Sequence, residues 1–197
     1  MPSLAYVYLP KAFMYKTTVK MKGGTRFVSL SQADLGALSS HVNLPRHNPD
    51  ANVCSDEEWS SVDANVDQII VDNGVMNDPS FTVLDLSRFS KLKQLEIGSD
   101  CFMHVTTVKL IGLSELERVR IGENSFTKYK NSIGKGSNHQ FYLKDCPKLY
   151  SLRVGAFSFS DYSVCEIENC GLYWIYMNQF AFYYSSLDVK SETAFDE

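Results

Sequence analysis

The sequence predicts a β-rich repeat solenoid with two short parallel strands in each repeat and a small α+β cap at the N-terminal end. Two apolar motifs recur in register between residues 59 and 190, and the first fifty residues differ from the rest in charge and pattern. Within each motif, apolar and polar residues alternate over two or three steps, which is the periodicity of a strand. A single repeat of this length cannot bury its own apolar side, so several copies must associate to form a core.

The first motif reads Leu-x-x-Leu-x-Ile-Gly in its clearest copies. Its last apolar position is filled by Ile97, Ile121, Val154 and Met177, at intervals of 24, 33 and 23 residues. A degenerate copy precedes them at residues 66–73. Glycine after the strand indicates a turn. A phenylalanine follows five residues after each of these positions, and we expect the four rings to fill the interior under the turns: Phe102, Phe126, Phe159 and Phe182.

The second motif is an apolar pair that comes before each copy of the first, and it predicts the second strand of each repeat. Its copies are Leu84 and Leu86, Val108 and Leu110, Phe141 and Leu143, Cys165 and Ile167, and Leu187 and Val189. Three residues after the first four pairs, one more apolar position is filled by Phe89, Leu113, Cys146 and Cys170. This position predicts small or apolar core residues, and it makes Cys146 and Cys170 equivalent.

Together these motifs resemble leucine-rich repeats, and most closely the divergent L-x-x-L-x-I-G-x-x-(S/A)-F class found in BspA-like proteins of protists and some bacteria. The resemblance covers about two thirds of the chain and implies a leucine-rich-repeat-like solenoid. The chain departs from the usual pattern because glycine replaces the asparagine after most strands, and only Asn73 and Asn178 lie near that position. The resemblance also implies binding of other proteins, including adhesion at a cell surface.

Three segments are expected along the chain. Residues 1–50 carry six Lys or Arg against two acids, whereas residues 51–197 carry thirteen against twenty-one. We therefore expect a capping module at 1–50, built from a hairpin around Gly23 and Gly24 and a short helix from Ser31 to about His41. The repeat array follows at 51–190, with a loop insertion at 127–140, and a tail covers 191–197. The insertion is rich in lysine and glycine, and it predicts either a solvated loop or a set of binding contacts.

Composition excludes several classes of function. The chain of 197 residues has a net charge of −4 and no run of Lys or Arg, so it lacks the footprint of a nucleic-acid-binding protein. It has no stretch of about 20 apolar residues and no signal-like N-terminus, which favours a cytoplasmic protein without membrane insertion unless a leader precedes this sequence. The five cysteines are sparse and lack a CxxC pair, so reduced thiols are expected.

No catalytic, metal or cofactor site is predicted. The four histidines are His41, His47, His104 and His139, and none lies in a recognisable catalytic signature. A dyad or zinc site combining Cys54 with His41 or His47 has no supporting spacing and lacks further ligands. We therefore expect no enzyme, no cofactor and no metal.

The predicted function is a non-catalytic protein–protein interaction module or scaffold, with a protein partner whose identity is unknown. Outward positions of the first strand become rich in arginine and then in aromatics, the residue types enriched at binding hot spots. The predicted binding residues are Arg118, Arg120, Arg153, Trp174 and Tyr176. Two alternatives stay open: a structural component of a larger cytoskeletal or filamentous assembly, and a cell-surface adhesin of the BspA-like type.

Two further groups of residues bear on where a binding surface lies. The corresponding stripe on the second strand is of mixed charge and is expected to be solvated: Asp85, Lys109, Tyr142, Glu166 and Asp188. Three more tyrosines lie near the C-terminal end, Tyr173, Tyr183 and Tyr184. They fit equally well an aromatic cap on the last repeat and a contribution to binding.

Overall fold

A computed structural model describes residues 6–8, 19–22, 51–135 and 137–190 of the chain. Thirteen strands and one short helix lie in these ranges. In chain order they are β1 (Tyr6–Tyr8), β2 (Val19–Lys22), β3 (Ala51–Val53), α1 (Asp56–Ser61), β4 (Gln68–Val71), β5 (Val83–Asp85), β6 (Gln94–Ile97), β7 (Thr107–Ile111), β8 (Arg118–Ile121), β9 (His139–Lys144), β10 (Ser151–Val154), β11 (Tyr162–Glu168), β12 (Trp174–Met177) and β13 (Ser186–Lys190).

The strands form two sheets in which every neighbouring pair is parallel. The seven-stranded sheet has the order β1-β12-β10-β8-β6-β4-β3, and the six-stranded sheet has the order β2-β13-β11-β9-β7-β5. From β4 onward the chain alternates between the two sheets, so the first motif of each repeat lies in one sheet and the second motif in the other. The insertion at 127–140 leaves the register intact, because Ile121 still pairs with Val154.

The predicted fold class, a leucine-rich-repeat-like solenoid with a small α+β N-terminal cap, is wrong. The described residues form instead two parallel sheets with a single six-residue helix. Both sides of each repeat are strands with the same hydrogen-bonded spacing of about 4.8 Å. Since neither side of the described repeats is built from bulkier helices, nothing in residues 51–135 and 137–190 spaces one side of the repeats more widely than the other.

The N-terminal strands also lie at the opposite end from the expected cap. β1 pairs with β12 and β2 pairs with β13, so both cover the last strands of the array. The physical reason is that these last strands carry backbone N–H and C=O groups along an open edge, which an additional parallel strand satisfies. Residues 25–30 of the expected hairpin and the expected helix at 31–41 lie outside the described residues.

The four predicted phenylalanines form a ladder in the core. Their ring planes are nearly parallel, with centroid distances of 5.0 Å between Phe102 and Phe126, 4.5 Å from Phe126 to Phe159 and 4.5 Å from Phe159 to Phe182. All four are buried, which confirms that prediction. Each has a positive φ between 51° and 60°. A bulky residue in this region costs about 1 to 2 kcal/mol, which burial and stacking of the rings offset.

Glycine follows the first strand because the turns of successive repeats touch. A Cβ atom on Gly122 would lie 2.6 Å from the backbone of Gly98, and one on Gly155 would lie 2.3 Å from the carbonyl oxygen of Gly122. Neither glycine has a positive φ. The requirement is therefore close approach of one backbone to the next, not the freedom to bend that the sequence suggested.

Serine hydroxyls join the same turns from repeat to repeat. Ser158 Oγ accepts a hydrogen bond from the N–H of Ser125 at 3.0 Å and donates one to the carbonyl of Gly122 at 2.7 Å. Ser125 Oγ repeats the arrangement one unit earlier, accepting from Cys101 N at 3.2 Å and donating to Gly98 O at 2.8 Å. Buried backbone groups at these turns are satisfied in this way.

Near the strand β3, an aromatic cluster covers the start of the phenylalanine ladder. The Trp59 ring, on α1, meets Phe81, Phe89 and Phe102 edge to face at centroid distances of 6.2, 6.0 and 5.9 Å. Arg88 donates a hydrogen bond to the Trp59 carbonyl at 2.9 Å. A tryptophan therefore closes the core at this end, whereas at the other end β1 and β2 extend the two sheets.

Candidate functional site

All five predicted binding residues lie on three adjacent strands of the seven-stranded sheet. Arg118 and Arg120 are in β8, Arg153 is in β10, and Trp174 and Tyr176 are in β12. They alternate with the buried Val119, Leu152 and Ile175, so they point to the outer side of the sheet. We call these five residues the arginine face.

The parallel register places the residues of this face in two rows. Arg153 is paired with Arg120 on one side and with Tyr176 on the other, and Glu96 of β6 continues that row beyond Arg120. The second row runs from Arg118 through Ser151 to Trp174. The structure therefore brings together residues that are up to 58 positions apart in the chain.

Contacts within the first row differ from one arginine to the next. Arg120 forms an ion pair with Glu96 at 3.2 Å, and both side chains are exposed, at 59% and 42%. The guanidinium carbon of Arg153 lies 5.1 Å from the centre of the Tyr176 ring, which is within the range of a cation–π contact. The guanidinium group of Arg120 is thus held by a carboxylate, and that of Arg153 is held by an aromatic ring.

Arg118 is half-buried beside Tyr150. Its Nε atom is buried without a hydrogen-bond partner. Burial raises the pKa of Tyr150, and the positive charge of Arg118 works against that shift. Among the described residues, no carboxylate forms an ion pair with Arg118 or Arg153. Two of the three cations on the arginine face therefore lack a carboxylate partner within the described part of the chain.

The outer side of the six-stranded sheet carries a balanced set of charges. Lys109 lies 3.7 Å from Asp85, and Lys144 lies 2.6 Å from Glu166 and 3.3 Å from Glu168. The carboxyl groups that pair with Lys144 raise its pKa, mainly through the hydrogen bond that Lys144 donates to Glu166. We call this set of residues, with Tyr142, the mixed face. Each of its two lysines has a carboxylate partner.

The three extra tyrosines, Tyr173, Tyr183 and Tyr184, lie near β12 and make edge-to-face contacts with other aromatic rings. Tyr173 meets Trp174 at a centroid distance of 5.3 Å, and Tyr183 meets Phe180 at 5.9 Å and Tyr184 at 5.0 Å. All of them are half-buried. The rings pack on one another, and the choice between an aromatic cap and a binding role stays open.

The insertion after β8 is anchored at several points. Asn131 N donates to Asn124 Oδ1 at 2.8 Å, and Ser137 donates from both its N–H and its hydroxyl to the carbonyl of Asp161. Lys128, Lys130 and Lys135 are exposed, as the sequence predicts for this loop, and Lys130 pairs with Asp100 at 3.1 Å. His139 is part of the strand β9 and not of the loop.

Under this loop lies a buried pair that sequence reasoning missed. Asp161 Oδ2 is 3.5 Å from His139 Nδ1, and the Asp161 side chain is only 4% exposed. Burial raises the pKa of Asp161, and burial also lowers the pKa of His139 although the aspartate opposes that change. No motif marks Asp161, because its partner lies 22 residues away in another strand. The Thr127 hydroxyl contacts Asp161 and is also 3.2 Å from the Ser160 hydroxyl.

The cysteines occupy the positions that the repeat predicts. All five are free thiols, which is the predicted state. Cys146 is buried and Cys170 is half-buried next to it, and contact with the neighbouring thiol raises the pKa of Cys170 and lowers that of Cys146. Cys54 is exposed, and hydrogen bonding to Asp72 raises its pKa. His41 and His47, its candidate partners, lie outside the described residues.

A shallow groove of about 270 Å³ lies beside α1 and is lined by Trp59, Phe81 and several acidic residues. The Asp56 carboxylate in it already accepts hydrogen bonds from the N–H groups of Met76 and Asp78. Within the described ranges, no group of three or more His, Cys, Asp or Glu side chains could hold a metal ion, and no helix has the length and apolar character to cross a membrane.

Comparisons of this chain with protein families, with curated proteins and with solved structures find no match. The resemblance to BspA-like leucine-rich repeats therefore stays a prediction from the sequence motifs. The arginine face is the strongest candidate site, because it combines two arginines that have no described carboxylate partner with two aromatic rings on hydrogen-bonded strands.

Proposed function

We propose that this protein is a non-catalytic interaction module that binds another protein through the arginine face. The observation that carries the proposal is the juxtaposition of Arg118, Arg120, Arg153, Trp174 and Tyr176 on three hydrogen-bonded strands. Arginine, tryptophan and tyrosine are the residues most enriched at binding hot spots. None of them depends on a mobile loop, so binding orders little of the chain and more of the contact energy appears as affinity.

A cytoplasmic location is part of this proposal, because free thiols persist in a reducing compartment. The alternative of a structural component in a larger assembly required neighbouring molecules to cover both ends of the array. At the C-terminal end of the array, the chain's own strands β1 and β2 pair with the edges of β12 and β13. This arrangement favours the interaction module over that alternative.

The proposal is tested by comparing two double variants of the full chain as baits. Arg120→Glu with Tyr176→Ala disrupts the arginine face, and Lys109→Glu with Tyr142→Ala makes the same exchange of charge and ring on the mixed face. Proteins captured from extracts of the source cells are quantified by mass spectrometry, and circular dichroism verifies that both variants fold.

We expect at least one protein that the wild type captures to be lost with the arginine-face variant and retained with the mixed-face variant. Equal retention by both variants would show that partners bind elsewhere, and equal loss would show that the effect is not specific to this face. Either result contradicts the proposal. Size-exclusion chromatography of the purified chain then separates an adaptor, which elutes as a monomer, from a self-assembling structural component.

A further inference from the structure

The arginine face carries positive charge that the described part of the chain does not neutralise. Arg120 has Glu96 as a partner, whereas Arg118 and Arg153 form no ion pair with a described carboxylate. On the mixed face, by contrast, Lys109 and Lys144 both have carboxylate partners. The two sheets are built from the same repeats, but they differ in whether the outward cations have carboxylate partners among the described residues.

The register makes this imbalance unfavourable in the isolated protein. Arg120 and Arg153 are directly opposite each other on adjacent strands, about 4.8 Å apart at the backbone. Like charges in such a pair destabilise a sheet. A carboxylate placed over these residues would reduce the repulsion and form charge-assisted hydrogen bonds with the guanidinium groups.

Aromatic rings limit what kind of anion fits. Tyr176 continues the row of Arg120 and Arg153, and Trp174 continues the row of Arg118. A ligand that follows either row therefore meets cations first and an aromatic ring next. The chain as a whole has a net charge of −4, so attraction to an anion is confined to this local group of arginines and favours a segment short enough to remain over it.

We infer that the arginine face binds an acidic protein segment in which carboxylate side chains lie beside an aromatic or aliphatic one. The inference rests on the proposed function, since it names the chemistry of the partner at that same face. Carboxylates of the segment pair with Arg118 and Arg153, and its apolar side chain packs against Trp174 and Tyr176. The binding surface ends at Arg120, because the next residue of the row is Glu96, whose negative charge pairs with Arg120.

The test uses three fluorescent probes with the full chain. The first is an eight-residue peptide of six glutamates and two phenylalanines, the second replaces every glutamate by glutamine, and the third is an oligothymidylate of equal negative charge. Anisotropy titrations are run at low and at physiological salt. The variants are Arg153→Gln on the arginine face and Lys109→Gln on the mixed face as a matched control.

We expect the glutamate peptide to bind at least about tenfold more tightly than the glutamine peptide, and added salt to weaken it. Arg153→Gln should weaken it by about tenfold, and Lys109→Gln by less than about twofold. Equal binding of the two peptides, no binding of either, or tighter binding of the oligothymidylate would each overturn the inference. The capture experiment tests the proposed function separately. If the peptides do not bind but the arginine-face variant still loses a captured protein, only the acidic chemistry of the partner is refuted.

Discussion

The two outer faces of this protein show how one repeat pattern yields different surfaces. On the mixed face, Lys144 lies between two glutamates of the neighbouring strand and Lys109 lies beside Asp85. On the arginine face, Arg120 lies next to Arg153, and the glutamate at the edge of the row, Glu96, pairs with Arg120 alone. Outward positions do not affect the core, so their charges are free to differ. Matched charges are typical of a solvated surface, and the unmatched arginines are the basis of the binding function that we propose for the other face.

The turns after the two sheets differ from one glycine to the next. After the seven-stranded sheet, Gly122 and Gly155 lie so close together that their backbones touch, and serine hydroxyls bond one repeat to the next. After the six-stranded sheet, Gly112 has a φ of +72° and open space around it, whereas a Cβ atom on Gly171 would lie 2.1 Å from the carbonyl oxygen of Pro147. Close approach between repeats therefore occurs on both sides and depends on the individual turn.

The largest predicted effect contrasts glycines on the two sides. Gly155→Ala places a Cβ atom 2.3 Å from the Gly122 carbonyl oxygen, and since that neighbour is backbone, we expect a loss of more than about 3 kcal/mol in the free energy of unfolding. Gly112→Ala meets no atom within 4 Å and pays only for its positive φ, about 1 kcal/mol. Urea denaturation of both variants measures the difference. Similar losses would show that the turns are equally tight.

A smaller difference is expected for two serines. Ser158→Ala removes both an acceptor for Ser125 N and a donor to Gly122 O in the buried turn, which should cost about 2 kcal/mol. Ser163→Ala, on the six-stranded sheet, removes one long contact of 3.5 Å to the His139 carbonyl and should cost less than about 0.5 kcal/mol. Thermal unfolding of both variants tests this, and the prediction fails if Ser163→Ala is the more destabilised.

The half-buried histidine of the six-stranded sheet, His139, should make stability depend on pH. The folded protein binds a proton at His139 less readily than the unfolded chain does, whose histidine pKa is about 6.5. Stability should therefore fall as the pH drops below about 6.5, and His139→Gln should remove that part of the fall. Asp161, whose pKa is raised, acts in the opposite direction at lower pH. Denaturation between pH 5 and pH 7.5 provides the measurement, and identical pH profiles for both proteins would refute the role of His139.

The smallest effects are expected for the outward charges themselves. Arg120→Gln and Lys109→Gln each break an exposed ion pair and should change the free energy of unfolding by less than about 0.5 kcal/mol. Their effects on binding should nevertheless differ, because only Arg120 belongs to the arginine face. Calorimetry of both variants checks the stability, and a large loss for Arg120→Gln would mean that this arginine is structural.

Much of the local structure could be predicted from the sequence. The interval of 24 residues and the alternation of apolar with polar residues predicted which positions are strands and which side chains are buried, including the phenylalanine ladder. The same alternation placed Arg120 and Arg153 on the outside, because successive side chains of a strand point to opposite sides. The class of fold was nevertheless predicted wrongly, since a resemblance in motifs does not specify how the two sets of strands assemble into sheets.

What the sequence determined by itself is therefore the repeat period, the two sets of strands and the residues that point outward. Only the tertiary structure decided that β1 and β2 join the last strands, that Asp161 lies beside His139, and that Lys109 has a carboxylate partner whereas Arg153 has none among the described residues. The reason is physical. Periodicity is a property of neighbouring residues, whereas pairing of edges and charges depends on which distant segments meet, and these meet only after the chain has folded.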